Sequence, residues 1–307
     1  MIRPSILLAL STILLLQAAP AIAWNAAGHR LSAYIAWQKM DEVTRKKVEG
    51  LLLQHPDHEH WLKRAKNAPP ALAAFLEAST WPDDIKSDRR FHDSENETTA
   101  PIRGFSDRAR HRQWHYINRP LAPLPSHSPK EVTGQLDGRL AELIEVMRSN
   151  DDLQRIYALP WLIHLVADAH QPLHVVSRYD REGQSDDGGN ALTIATPFHP
   201  RLATMNLHAY WDDLPGPPWL RGERLEQAGN AIMEAHPRPP PVGTISHWIE
   251  ESWQIAAHNA YPDDTNRTNP TPEITPEFNE RAQEVARQRI AEAGYRLAFL
   301  LQRLLKK

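Results

Sequence analysis

The chain contains no cysteine. Disulfide cross-links, thiolate metal sites and cysteine nucleophiles are therefore excluded, and any metal must be held by nitrogen and oxygen. Internal repeats are lacking, and the apolar/polar alternation that marks half-buried strands is hard to find anywhere. No apolar run after the first 23 residues is long enough to span a bilayer. A basic excess is lacking too: 35 Lys and Arg stand against 38 Asp and Glu, a formal net charge of -3. That balance argues against a surface that clings to duplex phosphates by counterion release, so affinity for an anion has to be local. Tyrosine and phenylalanine are scarce, at seven and six, beside ten tryptophans and sixteen histidines. The imbalance directs attention to imidazole ligands.

The chain start reads as a secretory signal over residues 1–23. Arg3 supplies the positive charge, Ile6 to Leu16 is apolar except for Ser11 and Thr12, and Ala21, Ile22 and Ala23 form a small-x-small cleavage site. Cleavage after Ala23 makes Trp24 the first residue, and loss of Arg3 takes the formal charge from -3 to -4. The remaining residues, 24–307, are expected to form one exported domain.

Apolar residues recur at helical spacing over Leu31 to Met40, Glu42 to Leu53, Glu131 to Met147, Leu153 to Ala169, Leu225 to Ala235 and Ile245 to Ala257. Ser128, Pro129 and Glu131 resemble an N-cap with proline at the first helical position, and Thr275, Pro276 and Glu277 open the last segment in the same manner. That segment carries Val285, Ile290, Ala293, Leu297, Leu300, Leu301 and Leu304 as one apolar stripe. Proline and charge mark loops over Lys86 to Arg103, Pro120 to Pro129, Tyr179 to Gly189, Pro215 to Pro218 and Pro237 to Pro241. The expected fold is mainly α, a single-domain bundle of many helices with long loops.

The densest chemistry lies in WLIHLVADAHQPLHV, where His164 and Asp168 are four apart and share one helical face. An isolated pair at this spacing is more often a polar contact on a solvated face. Here Trp161, Leu162, Ile163, Leu165, Val166 and Ala167 make the helix apolar on nearly every side, and a buried acid is costly unless paired or coordinated. Pro172 should kink or end the helix ahead of His174. A second pair, His208 and Asp212 in NLHAYWDD, repeats the spacing. Histidine plus carboxylate without thiolate is the ligand set of hydrolytic zinc sites. Asp83 and Asp84 in STWPDDIKSD and His115 in RQWHYINRP have suitable chemistry but are not singled out by spacing. Asp83 reads equally as a cap or turn residue, and His115 as a core histidine.

The order of segments resembles the S1/P1 nuclease family from Trp24 to about Asp264: WNAAGH (Trp24 to His29), WPDDIK (Trp81 to Lys86), WHYIN (Trp114 to Asn118), HLVADAHQPLH (His164 to His174), GGN (Gly188 to Asn190) and NLHAYWD (Asn206 to Asp212). The resemblance implies the helical fold shared with zinc phospholipase C and a cluster of three zinc ions. Asp83, His115, His164 and Asp168 would hold one ion, and His174, His208 and Asp212 a second. The third would take the α-amine and carbonyl of Trp24 after processing, with His29 and a shared Asp168. An α-amine has a free lone pair only when deprotonated, with an ordinary pKa of about 7.7 to 8.0, and a bound zinc favours that form.

The same resemblance implies hydrolysis of single-stranded DNA and RNA to 5′-phosphorylated products, with possible 3′-nucleotidase activity. Asp83, Lys86 and Asn190 would lie at the reacting phosphate, and Tyr116 would stack on an unpaired base. Taken bare, Lys86 is a surface lysine, Asn190 a turn residue, Tyr116 and Trp24 core aromatics and His29 a helix-start histidine. A monomer without stable membrane association is expected, and the missing disulfides suggest a bacterial type, periplasmic or secreted, from a Gram-negative organism. The rivals are a zinc phospholipase C and a non-catalytic exported zinc-binding protein, although the latter more often carries a low-complexity His/Asp tract. HPDHEH, with His55, His58 and His60, reads as a solvated loop after an amphipathic helix. The long gap between His174 and His208, occupied in part by REGQSDDGG, suggests a remodelled loop beside Asn190.

Overall fold

Most helices begin where the sequence supplies a side-chain oxygen to accept otherwise unpaired N–H groups. In the computed structural model, which describes residues 24–65, 68–94, 96–97, 100–121, 132–180, 182–262 and 271–306, Asn25 caps α1 (Ala26–Lys39) by accepting from Ala27 and Gly28. Asp41 caps α2 (Glu42–Leu52) through the Thr44 N–H. Three short helices follow, α3 (His58–Arg64), α4 (Pro70–Ala78) and α5 (Trp81–Asp84). After β1 (Arg119–Pro120) come α6 (Leu136–Arg148) and α7 (Asp152–Asp168), the latter capped by Asp151. The strands β2 (Val176–Ser177), β3 (Thr193–Ala195) and β4 (Thr204–Asn206) lead into α8 (Leu207–Asp213). The chain closes with α9 (Gly222–Ala235), α10 (Ile245–Ile255) and α11 (Pro276–Leu304), whose cap is Thr275.

The mainly helical class expected from the sequence is what the structure shows. Sheet is confined, among the described residues, to two small pairs: β1 with β2 in parallel and β3 with β4 antiparallel. The core is centred on α7, buried on every side from Ile156 to Asp168, as a helix that is apolar all round must be. α11 crosses behind it and sends two buried arginines toward the end of α7. Arg289 donates to the His170 carbonyl and Arg296 to the His170 ring, and both pair with Glu251. The turn after α7 is thereby braced from behind.

Two expectations need correction. The helix assigned from Glu131 begins at Leu136, because Gly134 takes φ +91° and lies so close to Tyr116 that a Cβ would sit 2.2 Å from its carbonyl oxygen. The backbone there bonds across instead of along a helix: the Gln135 N–H donates to the carbonyls of Gln113 and Tyr116. The start signal at Ser128 and Pro129, like the secretory signal, lies outside the described residues. The HPDHEH tract is not a solvated loop. His55 is buried and stacks on Trp61 with ring centroids 4.4 Å apart, burial pulls its pKa down to about 3, and α3 begins at His58. Asp57 in the same tract accepts from the Trp81 indole and pairs with Arg90, so the segment is a folded corner.

Gly294 sets how closely α1, which carries His29, approaches α11. A Cβ there would meet Ile35 Cβ at 2.6 Å and the Ser32 carbonyl oxygen at 2.8 Å. Gly294→Ala is expected to destabilise the fold by about 1–3 kcal/mol through overpacking. Gly138→Ala, on α6 with nothing within 4 Å, should instead stabilise it by roughly 0.5–1 kcal/mol. Thermal or urea unfolding of the two variants reads the difference, and equal shifts of the same sign would refute the close-approach role of Gly294.

Candidate metal centre

Six separate stretches of chain bring histidine and carboxylate groups to one buried place. α1 presents His29, α5 Asp83, and the 3-10 turn Arg112–His115 presents His115. The end of α7 contributes His164 and Asp168, the 3-10 turn Pro172–His174 contributes His174, and α8 contributes His208 and Asp212. The four-residue spacing on α7 and α8 aligns each pair on one face, as the sequence implied. Pro172 opens the turn that swings His174 back over the site. Backbone bonds fasten the stretches together: the Ile117 N–H donates to the His174 carbonyl, and the Leu121 N–H to Ser177.

Three groups of ligand-type atoms result: His29 with Asp83 and His164; His115 with His164 and Asp168; and His174 with His208 and Asp212. In the second group the His115 Nδ1 lies 3.1 Å from Asp168 Oδ2 and 3.0 Å from His164 Nε2. Asp83 Oδ1 is 3.9 Å from the same His115 atom and 3.8 Å from His164 Nε2. Asp168 turns its other oxygen to His29, 3.4 Å from Nε2. In the remaining pocket the Nε2 atoms of His174 and His208 are 3.1 Å apart, and Asp212 Oδ2 is 3.6 Å from His208. Ligand atoms bound at 2.0–2.1 Å in a tetrahedron are separated by about 3.3 Å, which falls inside this range of spacings.

Hydrogen bonds at the backs of the rings decide what their front atoms can do. The Nδ1–H groups of His164, His174 and His208 donate to the carbonyls of Ser79 (2.7 Å), His115 (2.6 Å) and Gly188 (2.8 Å). A carbonyl can only accept, so each Nε2 is left with a lone pair aimed inward. His174 and His208 therefore face each other lone pair to lone pair. Burial is the leading cause that holds His174 and His29 well below the ordinary histidine range and His208 near 4. Burial would lower His164 as well, but the Asp168 and Asp83 carboxylates outweigh it and its pKa is raised. Burial also pushes Asp168 up to about 6 and Asp212 well above the usual carboxylate range. Both His29 ring nitrogens, Asp83 Oδ2 and Asp168 Oδ1 are buried without a hydrogen-bond partner. Orphaned buried acceptors at this density are costly, and divalent cations among them would satisfy the set. The residues fit a metal cluster.

Trp24 is wholly buried, with its indole N–H on the Ala167 carbonyl at 3.2 Å, and the next residue's N–H donates to the Asp212 carbonyl at 3.1 Å. Residue 24 thus lies against both α7 and α8. His115, His174 and His208 reach the wall of a cavity of about 190 Å³, which Lys86, Tyr116 and Asn190 also line. Lys86 Nζ sits 2.6 Å from Asp83 Oδ1, and the Asn190 amide donates to the Asp187 carbonyl.

Sequence reasoning missed Gln171, which is fully buried, donates to Asp212 Oδ1 at 2.8 Å and accepts the Leu173 N–H. It also missed Arg112, Asn118 and Asp187 in the cavity wall. A glutamine just before Pro172 was the available signal for the first.

A family model described as S1/P1 Nuclease matches residues 24–306. Among curated proteins, Endonuclease 4 of Arabidopsis thaliana is 27% identical over 197 residues, 63% of this chain and 56% of that protein. Endonuclease 2 of the same plant is 28% identical over 215 residues, covering 66% and 59%. Nuclease S1 of Aspergillus oryzae is 24% identical over 175 residues, covering 51% and 57%. The matches span less than two thirds of each relative's length.

Because a metal competes with protons for these groups, zinc uptake near pH 6 should release protons into a lightly buffered solution. Affinity should fall as pH drops from 7 to 5, since Asp168 takes up its proton near 6. Gln171→Leu, which frees the Asp212 carboxylate, should weaken one site by about tenfold to a hundredfold. Isothermal titration calorimetry checks all three; proton uptake on zinc addition would contradict the assignment.

Proposed function

The chain belongs to the S1/P1 nuclease family, and we propose that it is an exported zinc-dependent phosphodiesterase cutting single-stranded DNA and RNA to 5′-phosphorylated products. The observation that carries this reading is the convergence of three His/Asp groups beside a cavity that also holds a lysine, an amide and an aromatic ring. Asp83, His115, His164 and Asp168 would hold one zinc, His174, His208 and Asp212 a second, and Trp24, His29 and Asp168 the third. When bound, the ions would supply Lewis acidity at the phosphate and make water a competent nucleophile near neutral pH.

The chain's own groups account for the rest of the chemistry. Hydrolysis adds water across the P–O3′ bond, with hydroxide going to phosphorus and a proton to the departing 3′ oxygen. Asp83, among the residues that would hold an ion and with Lys86 Nζ on its Oδ1 at 2.6 Å, would orient the attacking water beside that ion. Lys86, already beside Asp83, neutralises charge that grows on the phosphate oxygens. Asn190 offers amide hydrogens to the same group. The Tyr116 ring is half-buried at the cavity wall and is backed by Gly134, which suits it to stack on a base. Stacking tolerates any base but requires it to be unpaired.

The third site depends on processing after Ala23, so that Trp24 carries a free amine. Support comes from the signal-like composition of residues 1–23 and from the packing of Trp24 against both α7 and α8. Export to the periplasm or medium follows from the same signal. 3′-Nucleotidase activity fits the same donors, since a terminal 3′-phosphate presents the same bond.

Protein beginning at Trp24 should bind three zinc ions and cleave single strands far faster than duplex. The same protein with one extra amino-terminal residue should keep most of its zinc and lose most of its turnover. Tyr116→Ala should lower kcat/KM on single strands by about 1–3 kcal/mol, the worth of one stacked base. Release of nucleotides from DNA and RNA, compared with release from phosphatidylcholine, reads the substrate class. Lipid turnover without nucleotide release would favour a phospholipase C, and zinc binding without hydrolysis at any pH a non-catalytic zinc protein.

A further inference from the structure

Arg112 belongs to the turn that presents His115, yet its own side chain faces the same cavity. Its guanidinium is tethered at one side only. Nε donates to Asp93 Oδ1 at 2.7 Å, and Nη2 lies 3.4 Å from the Lys86 carbonyl oxygen. The Asp93 carboxylate is shared, because Arg110 takes its other oxygen at 3.0 Å. Two guanidinium groups thus divide one exposed carboxylate, and the edge keeps a net positive charge. The side chain is 40% exposed, and a surface pair of this kind contributes little to stability.

The cavity is electrostatically divided. Lys86 and Arg112 are joined along one edge through the Lys86 carbonyl, while the Asp187 carboxylate lies near Tyr116 and raises its pKa after burial has done so. Lys86 is committed to Asp83 beside the metal groups. Arg112 is the further cation in the wall of a chain with an overall acidic balance. Lys86 is held at the metal groups by Asp83, whereas the side-chain hydrogen bonds of Arg112 go to Asp93 and the Lys86 carbonyl and to no residue of those groups. A polynucleotide carries a second phosphate one nucleotide away.

We propose that Arg112 binds the phosphate adjacent to the scissile one and so makes this chain prefer polynucleotides to isolated diesters. This inference rests on the nuclease reading above. A guanidinium suits the task because its planar fork pairs with phosphate oxygens in two places. The contact is made equally before and during bond breaking, so it should act on KM and leave kcat nearly as it is.

The test uses zinc-loaded protein beginning at Trp24, with Arg112→Ala and Arg112→Lys. Substrates are a single-stranded oligonucleotide, the same oligonucleotide with one neutral methylphosphonate on either side of the cleaved linkage, and bis(p-nitrophenyl) phosphate. Arg112→Ala should raise KM for the oligonucleotide about tenfold, the scale of one charge-assisted hydrogen bond at a partly exposed site, with a much smaller change on bis(p-nitrophenyl) phosphate. The slope of log kcat/KM against log salt should flatten by about 0.7, the value for one lost phosphate contact on a single strand. A methylphosphonate at one flanking position should penalise the wild type and add nothing to Arg112→Ala, and Arg112→Lys should restore part of the loss. An equal methylphosphonate penalty in both proteins would overturn the assignment. So would an equal fall in kcat on every substrate with loss of zinc, which would mean that Arg112 only steadies the turn under His115. If the wild type turns over bis(p-nitrophenyl) phosphate but leaves single strands intact, the nucleic-acid reading itself fails, and this role with it.

Discussion

Two imidazole nitrogens 3.1 Å apart, each with its lone pair turned toward the other, repel unless something positive stands between them. His174 and His208 are held in that arrangement by carbonyls that claim their opposite nitrogens. A proton is a poor solution, because burial lowers the affinity of both rings for it. Beside it, where His115, His164 and Asp168 meet, the difficulty is one of unsatisfied groups: Asp168 Oδ1, His115 Nε2 and both nitrogens of His29 are buried without a hydrogen-bond partner. A divalent cation resolves each conflict at once, accepting lone pairs from several directions and offsetting the buried carboxylates. The rest of the molecule can be understood as the scaffold needed to hold mutually repelling groups in place.

That scaffold works by taking away alternatives. The rings of His164, His174 and His208, which could otherwise rotate to relieve the repulsion, are each fixed from behind by a backbone carbonyl, and those carbonyls come from different stretches of chain. His174 is held by His115's own backbone, so two ligand-bearing turns fix each other. His208 is held by Gly188, whose φ of +61° and whose approach to the Leu173 carbonyl, at 2.6 Å from a built Cβ, exclude a side chain. His111, before the turn carrying His115, adopts a left-handed conformation at φ 44°, uncommon for a residue with a side chain. It stacks on Trp114 and bonds Asp107. Buried Arg30 and Glu77 fasten α1 to α4, and Arg289 and Arg296 fasten the turn after α7. Rigid support of this kind is what a metal site requires of its surroundings.

Much of this was legible in the chain, for physical reasons that differ from residue to residue. α7 and its pair His164 and Asp168 stand out because an acid on a helix with no polar face has to be paired or coordinated. His208 and Asp212 repeat the spacing. Asp83 and His115 are different: nothing local distinguishes them from a capping residue and a core histidine, since only long-range pairing brings them to α7. Family resemblance, and not spacing, pointed to them. Gln171 and Arg112 escaped notice because only the fold brings the one to Asp212 and the other to the cavity wall. The start of α6 was placed too early because the helix-start signal at Ser128 and Pro129 gives no weight to Gly134 and its φ of +91°, and His55 was mistaken for a solvated residue because its polar neighbours concealed a stacking partner six residues on.

Metal among those converging atoms is what the site requires. Anomalous diffraction at the zinc absorption edge, from crystals of protein beginning at Trp24, observes it directly. Three peaks are expected: one within Asp83, His115, His164 and Asp168, one within His174, His208 and Asp212, and one between His29 and Asp168 at the chain start. Density showing these side chains bonded only to water, or zinc bound elsewhere, would contradict it.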